Sequence, residues 1–140
     1  MRKIVSGFSN IGKSTLSNYK DIHYIDFDTC YFKKIDNWVN IYIDCLLALQ
    51  DKYEYVFITT YGDILEELEK RNIEYILVFP ERELKEEYRQ RAIDRNSDSD
   101  FVEGFFSRWD THIDDCLKRK TKNKIVLKSG MFLSDIINLI

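Results

Sequence analysis

Five short apolar runs punctuate the chain, at residues 3–8, 23–27, 55–60, 75–79 and 124–128, and between them apolar residues recur three or four positions apart. Such runs predict strands buried on both faces. Strands alternating with helical segments predict an α/β fold, a parallel sheet with helices on both sides. The first helix follows Lys13 and has room only to about Tyr19 before Asp21 and the next strand. The second sets Ile35, Trp38, Val39, Tyr42, Cys45, Leu46 and Leu49 along one side as core. A third, at about residues 62 to 71, turns Ile64, Leu65 and Leu68 inward and stops near Asn72, a residue suited to a left-handed helix end. Pro80, the single proline, closes the fourth strand and leads into a charged helix from about Glu81 to Arg95. After the polar break at residues 96–100, Asp100 with Glu103 resembles a capping pair for one long helix to about Arg119. Its stripe is Val102, Phe105, Phe106, Trp109, Ile113, Cys116 and Leu117. The basic turn from Lys118 to Lys124 reads as a solvated surface, and Ser129-Gly130 opens a closing helix bearing Leu133, Ile136, Ile137 and Ile140.

Composition narrows this picture without changing it. At 140 residues, 44% of them hydrophobic, the chain fits a single domain, residues 1–140, with one core. The net charge of −3 argues against a general grip on nucleic acid. Cys30, Cys45 and Cys116 are odd in number and far apart, so neither a disulfide frame nor a zinc site is indicated. No apolar stretch follows Met1-Arg2-Lys3 as in a secretion signal, and no run approaches the ~18 residues of a membrane span. A cytoplasmic protein without membrane contact is the expectation, as a monomer or homodimer.

The chemistry is concentrated in Gly7-Phe8-Ser9-Asn10-Ile11-Gly12-Lys13-Ser14, a complete G-x-x-x-x-G-K-S phosphate loop placed directly after an apolar run. Backbone N–H groups of such a loop point at phosphate oxygens, and the helix behind adds the positive end of its dipole. Nucleotide contacts are therefore expected from Gly7, Ser9, Asn10, Ile11, Gly12, Lys13, Ser14 and Thr15. Lys13 would reach the β- and γ-phosphates, and Ser14, backed by Thr15, would offer a hydroxyl to Mg²⁺. Asp26 and Asp28 lie at the C-terminal end of the second strand, where ligands of open parallel sheets bind. Spaced by two, both can address the phosphates, Asp26 supporting the metal and Asp28 taking a proton from an acceptor hydroxyl; capping a turn is the alternative. The central strand ends in Thr59-Thr60 where many phosphate-loop enzymes place a metal-binding aspartate, so that carboxylate must come from elsewhere. In the charged helix Arg91 and Arg95 share a face, with Arg89 and Lys85 in a neighbouring row, and this face could close over a triphosphate. Surface pairing of Glu87 with Arg91 is the alternative for any one of them. Tyr31, Phe32 and Trp38 can stack on a base or sugar, or serve as core.

With these motifs the chain resembles the small phosphate-loop kinases of nucleosides, nucleotides and related metabolites, the adenylate kinase and shikimate kinase group. It is similar above all to the adenylate-kinase-like proteins of bacteriophages and their hosts. The resemblance spans nearly the whole chain and is most specific at the phosphate loop. It implies a three-layer α/β/α fold, a five-stranded parallel sheet of order 2-3-1-4-5 and a lid-like segment at about residues 81–100. It matches Asp26 and Asp28 to the group's carboxylate pair and the region of Arg89, Arg91 and Arg95 to its lid arginines. The loop after the fifth strand, with Lys128, Ser129 and Gly130, would line the adenine pocket. The implied activity is transfer of a phosphoryl group from ATP or GTP, with Mg²⁺, to a small acceptor, a nucleoside or (deoxy)nucleoside monophosphate. The segment after the second strand departs from the group, offering Lys33 and Lys34 where monophosphate kinases use arginines. A nucleotide sensor or inhibitory protein without transfer, and a polynucleotide 5′-kinase, are the other readings.

Overall fold

The computed structural model describes residues 3–18, 23–29, 32 and 35–140. Expectations that rest on Tyr19, Asp21, Cys30, Tyr31, Lys33 and Lys34 lie outside the described residues. Each apolar run forms a strand: β1 (Lys3–Gly7), β2 (Tyr24–Asp26), β3 (Tyr55–Ile58), β4 (Ile76–Pro80) and β5 (Lys124–Leu127). They pair side by side, all parallel, in the order β2-β3-β1-β4-β5. The sheet is covered by α1 (Lys13–Asn18), α2 (Trp38–Gln50), α3 (Gly62–Lys70), α4 (Lys85–Asp94), α5 (Ser99–Ser107), α6 (Trp109–Lys118) and α7 (Leu133–Ile136). Right-handed crossovers set α1 on one face, beside α7, and α2, α3 and α6 on the other. The three layers and the strand order are those expected.

Burial follows position in the sheet. All of β3 is buried, and in central β1 and β4 only the first residue of each is less than fully so. The edge strands β2 and β5 are only half-buried, with Val126 exposed, because each has a neighbour on one side alone. In α2, Tyr42, Ile43 and Leu46 point into the core, whereas Cys45 faces outward and Ile35 lies before the helix, exposed. The rest of the predicted stripe holds, with Trp38, Val39 and Leu49 partly buried against the core beside Tyr42 and Leu46. Asn37 precedes the helix with φ of 59°, a turn that realigns the first residue. Helix α3 matches its prediction: Ile64, Leu65 and Leu68 are buried, and Asn72 takes the left-handed conformation at φ 57°.

The expected long helix at 100–119 is two helices meeting at Arg108 (φ −109°, ψ 20°). A straight helix of that length would run about 30 Å and could not follow two different supports. Here α5 packs on α4 and α6 packs on β4, and the bend lets the Trp109 indole N–H donate to the Arg82 carbonyl at 2.9 Å. The cap is Asp98 rather than Asp100: its carboxylate accepts from the N–H groups of Asp100 and Phe101. Leu117 is exposed. The closing helix is a single turn, α7, continued by a 3₁₀ turn at Ile137–Leu139. In the basic turn Arg119 is mostly covered, 3.7 Å from Glu66 and 3.9 Å from Glu69, so that residue departs from the solvated reading.

The Cys116 thiol, buried on α6, is pushed up to about 12, by burial first and by Asp115 second. A thiol protonated in the fold but ionising near 9 once unfolded gives full stability below pH 9 and loses it as pH climbs toward 12. Urea unfolding is expected to show a loss of about 1.4 kcal/mol per pH unit from this group, and Cys116→Ala to lack that component between pH 9 and 10. Identical pH dependence in the two proteins would overturn the assignment.

Candidate nucleotide-binding site

Residues 7 to 14 run from the end of β1 into α1 at the C-terminal edge of the sheet. Gly12 has φ of 100° and Asn10 φ of 65°, conformations that curl the chain around a centre. A methyl group at Gly7 would lie 2.6 Å from Ile11 Cδ1 and 2.9 Å from Lys13 Cδ, so a larger residue there would force those side chains to shift. Lys13 Nζ donates to the carbonyls of Gly7, at 2.5 Å, and Phe8, at 3.1 Å. Ser14 is half-buried at the helix start and Thr15 is exposed behind it. Ile11 is fully buried, and its carbonyl accepts from the Leu133 N–H at 2.8 Å.

Charge converges on this loop from two other elements. Burial pushes the Lys13 ammonium down to about 8, Arg95 adds to the effect, and Asp26 and Asp28 oppose it. Asp26 moves the other way. Burial raises it first, neighbouring Asp28 raises it further, and Lys13 and Arg95 hold it down. The structure therefore brings Lys13, Asp26, Asp28 and Arg95 within electrostatic reach of one another, and the four belong to α1, the β2 edge and the end of α4.

A second layer of contacts fixes the loop from outside. Arg91 donates to the carbonyl of Asn10 and to that of Met131, each at 3.0 Å, and pairs with Glu87 at 3.3 Å. Its guanidinium lies 4.3 Å from the centre of the Tyr88 ring and 3.8 Å from that of Phe132. Arg95 donates to Asn10 Oδ1 at 3.0 Å, and Asn10 Nδ2 donates to Ser9 Oγ at 3.2 Å. Glu87 accepts from Ser129 Oγ at 2.5 Å and from the Gly130 N–H at 3.1 Å; Ser129 chiefly, with Gly130 and Arg91, holds its carboxyl below the usual range. Of the predicted residues, Arg91 and Ser129 are thus engaged in joining α4 to the phosphate loop and to the turn after β5. The expected Glu87–Arg91 surface pair exists as part of this network. Arg89, two positions from Arg91, sits on a different side of α4.

The loop also carries an aromatic anchor that the motif alone does not specify. Phe8 is fully buried, its ring edge-on to Phe105 at 5.5 Å, Trp109 at 5.3 Å and Tyr88 at 6.4 Å. Helices α4, α5 and α6 therefore grip the loop through one side chain. At the end of β3, Ser6 Oγ donates to the Thr59 carbonyl at 2.9 Å, while Thr59 Oγ1 is buried with no partner among the described residues. That hydroxyl, the Ser14 hydroxyl and the Asp26 carboxylate are oxygen donors, the chemistry that Mg²⁺ takes. Among the described residues no three His, Cys, Asp or Glu side chains are grouped to hold a metal, so such an ion would rely on phosphate oxygens as well. A cavity of about 740 Å³ opens at the opposite edge of the sheet, lined by Lys3, Ile76, Lys124 and Leu139 among others, and contains none of these groups.

No protein-family model matches the sequence, and no curated protein matches it. Among solved structures the fold is similar to that of the tunicamycin resistance protein of Deinococcus radiodurans, with a TM-score of 0.60. The match covers 99% of this chain and 93% of that one, at 9% identity. What the two share at that identity is the fold. No helix of the described residues is long and apolar enough to cross a membrane.

Two outcomes follow from this geometry. A polyphosphate held by this loop would engage the charged form of Lys13, so ATP affinity is expected to fall about tenfold from pH 7.5 to 9, with the ammonium titrating near 8. Calorimetric titration across that range reads it, and a flat profile would exclude the assignment. Truncating Arg91 to Ala strands the Asn10 and Met131 carbonyls, while Glu87 keeps Ser129 and Gly130, so urea unfolding should show a loss of about 2 kcal/mol together with weaker ATP binding. Arg91→Lys, lacking the fork, should recover only part of both.

Proposed function

We propose that the chain is a phosphotransferase that moves the γ-phosphoryl group of ATP or GTP to a small acceptor, a nucleoside or (deoxy)nucleoside monophosphate. The observation that carries this reading is the meeting of Lys13, Asp26, Asp28 and Arg95 around a closed phosphate loop. A binding cradle alone needs the first of these; two carboxylates opposite a lysine and an arginine add the means to handle a proton and a transferring charge.

In this reading the amides of residues 7–14 and the Lys13 ammonium hold the β- and γ-phosphates, and Lys13 leaves the Gly7 and Phe8 carbonyls to do so. Asp28, exposed at the end of β2, orients the acceptor hydroxyl and takes its proton. Ser14, Asp26 and Thr59 would hold Mg²⁺, which when bound neutralises charge on the phosphate oxygens. Arg95 faces the charge from the α4 side, and Arg91 keeps the loop in shape while α4 and the turn after β5 cover the nucleotide. Excluding water there favours the acceptor over hydrolysis.

A second reading, a nucleotide sensor without transfer, draws on the hydroxyl of Thr59 where a carboxylate is usual. The test is incubation with ATP, Mg²⁺ and pooled nucleosides, nucleotides and small hydroxylated metabolites, followed by mass spectrometry for an added phosphate. Product from the native protein, reduced at least 10²–10³-fold in Lys13→Ala, is the expected result. Circular dichroism should show Lys13→Ala still folded, because relief of the desolvated ammonium offsets part of the loss of its bonds to the Gly7 and Phe8 carbonyls. ATP binding with no product on any acceptor would select the sensor.

A further inference from the structure

Position 10 is one of the variable places between the two glycines of the phosphate loop, yet its side chain is buried there, with 7% of the residue exposed. Its backbone takes φ of 65°, a left-handed conformation that asparagine tolerates better than most residues other than glycine. Glycine would satisfy that backbone. What glycine lacks is the amide, and both ends of it are used: Asn10 Oδ1 accepts from Arg95 Nη1 at 3.0 Å, and Asn10 Nδ2 donates to Ser9 Oγ at 3.2 Å. A guanidinium can only donate, so the oxygen end of the amide must face it.

Arg95 depends on this contact more than Arg91 depends on any of its own. It closes α4, after which Asn96 turns left-handed at φ 57° and the Ser97 N–H returns to the Ala92 carbonyl. Arg91, one turn earlier, is flanked by two rings and paired with Glu87. Arg95 is exposed and makes no ion pair among the described residues, where the Asn10 oxygen is the one hydrogen-bond partner of its side chain. The other N–H groups of its fork are left to give.

The chemistry of the acceptor matters as much as its place. A carboxylate at residue 10 would bind Arg95 more strongly, but it would cancel the guanidinium charge and add to the negative charge of Asp26 and Asp28 beside the cradle for a polyphosphate. A neutral amide gives direction and leaves the charge. That charge reaches both Lys13 and Asp26.

Resting on the nucleotide-binding and phosphotransfer reading above, we infer that Asn10 is a positioning residue, whose amide holds Arg95 beside the phosphate loop with its charge uncancelled so that the guanidinium engages the γ-phosphate. The contact joins residues 85 positions apart and works through a side chain, separately from the main-chain amides that cradle the phosphates.

Calorimetric titration with ATP and with ADP, each with Mg²⁺, reads this role. Asn10→Gly keeps the left-handed backbone and removes the amide, so ATP affinity should fall about tenfold and ADP affinity no more than about twofold. The added freedom of a glycine backbone would instead weaken both nucleotides alike. Arg95→Ala should show the same selective loss, and combining it with Asn10→Gly should weaken ATP no further, because the two side chains act as one unit. Asn10→Asp should also lose ATP selectively, since it keeps the contact but cancels the charge; being of the same shape, it carries the comparison if the glycine variant fails to fold by circular dichroism. Parallel losses for ATP and ADP, or additive losses in the double variant, would overturn the positioning role and leave nucleotide binding standing. Native protein that binds neither nucleotide would remove both. Selective loss of ATP with no phosphorylated product on any acceptor would support the positioning role and sink the transfer reading.

Discussion

A backbone curled so that its amides face one point has few hydrogen bonds of its own, and here the curl is held from outside by the guanidinium of Arg91. That group takes the Asn10 carbonyl with one nitrogen and the Met131 carbonyl with another, while the rings of Tyr88 and Phe132 flank it. Arg95 adds the Asn10 side chain, and Phe8 is locked among Phe105, Trp109 and Tyr88. Helix α4 and the turn after β5 therefore share the geometry of the phosphate loop.

At this edge of the sheet, burial works against the charged forms of both Lys13 and Asp26. Lys13 is buried enough to hold its proton weakly, although two carboxylates lie near, and Asp26 is displaced upward despite two nearby cations. Desolvation is the leading cause in both cases. A polyphosphate would repair the first cost, because its charge enters where the ammonium is poorly solvated. Thr59 has a buried hydroxyl that finds no partner among the described residues, a cost that a bound ligand would relieve.

Much of the fold was legible in advance because parallel strands buried on both faces are short uninterrupted apolar runs, and five of them appear. The departures arise where neighbours in space decide. Ile35 fell outside the core because it precedes α2, and Cys45 because it stands at the edge of the stripe that Tyr42, Ile43 and Leu46 define. The stripe from Val102 to Leu117 is continuous in sequence, yet the helix bends at Arg108 because its halves rest on α4 and on β4. Periodicity shows which side chains seek cover, not whether one support can cover them all.

At the candidate site the division is the same. The chain by itself determined the phosphate loop, since the two glycines, the lysine and the serine act through backbone curvature over eight consecutive residues, and it determined that two carboxylates stand at the end of the second strand. Only the tertiary structure decided what holds the loop, because Arg91 and Asn10 are 81 positions apart and a helical face has no intrinsic preference for the carbonyl it meets. It likewise decided that Tyr61 comes to rest on Trp38, a contact made by the packing of α2 against α3 and carried by no local pattern. Local motifs are set by the covalent chain; long-range partners are set by which surfaces the core brings together.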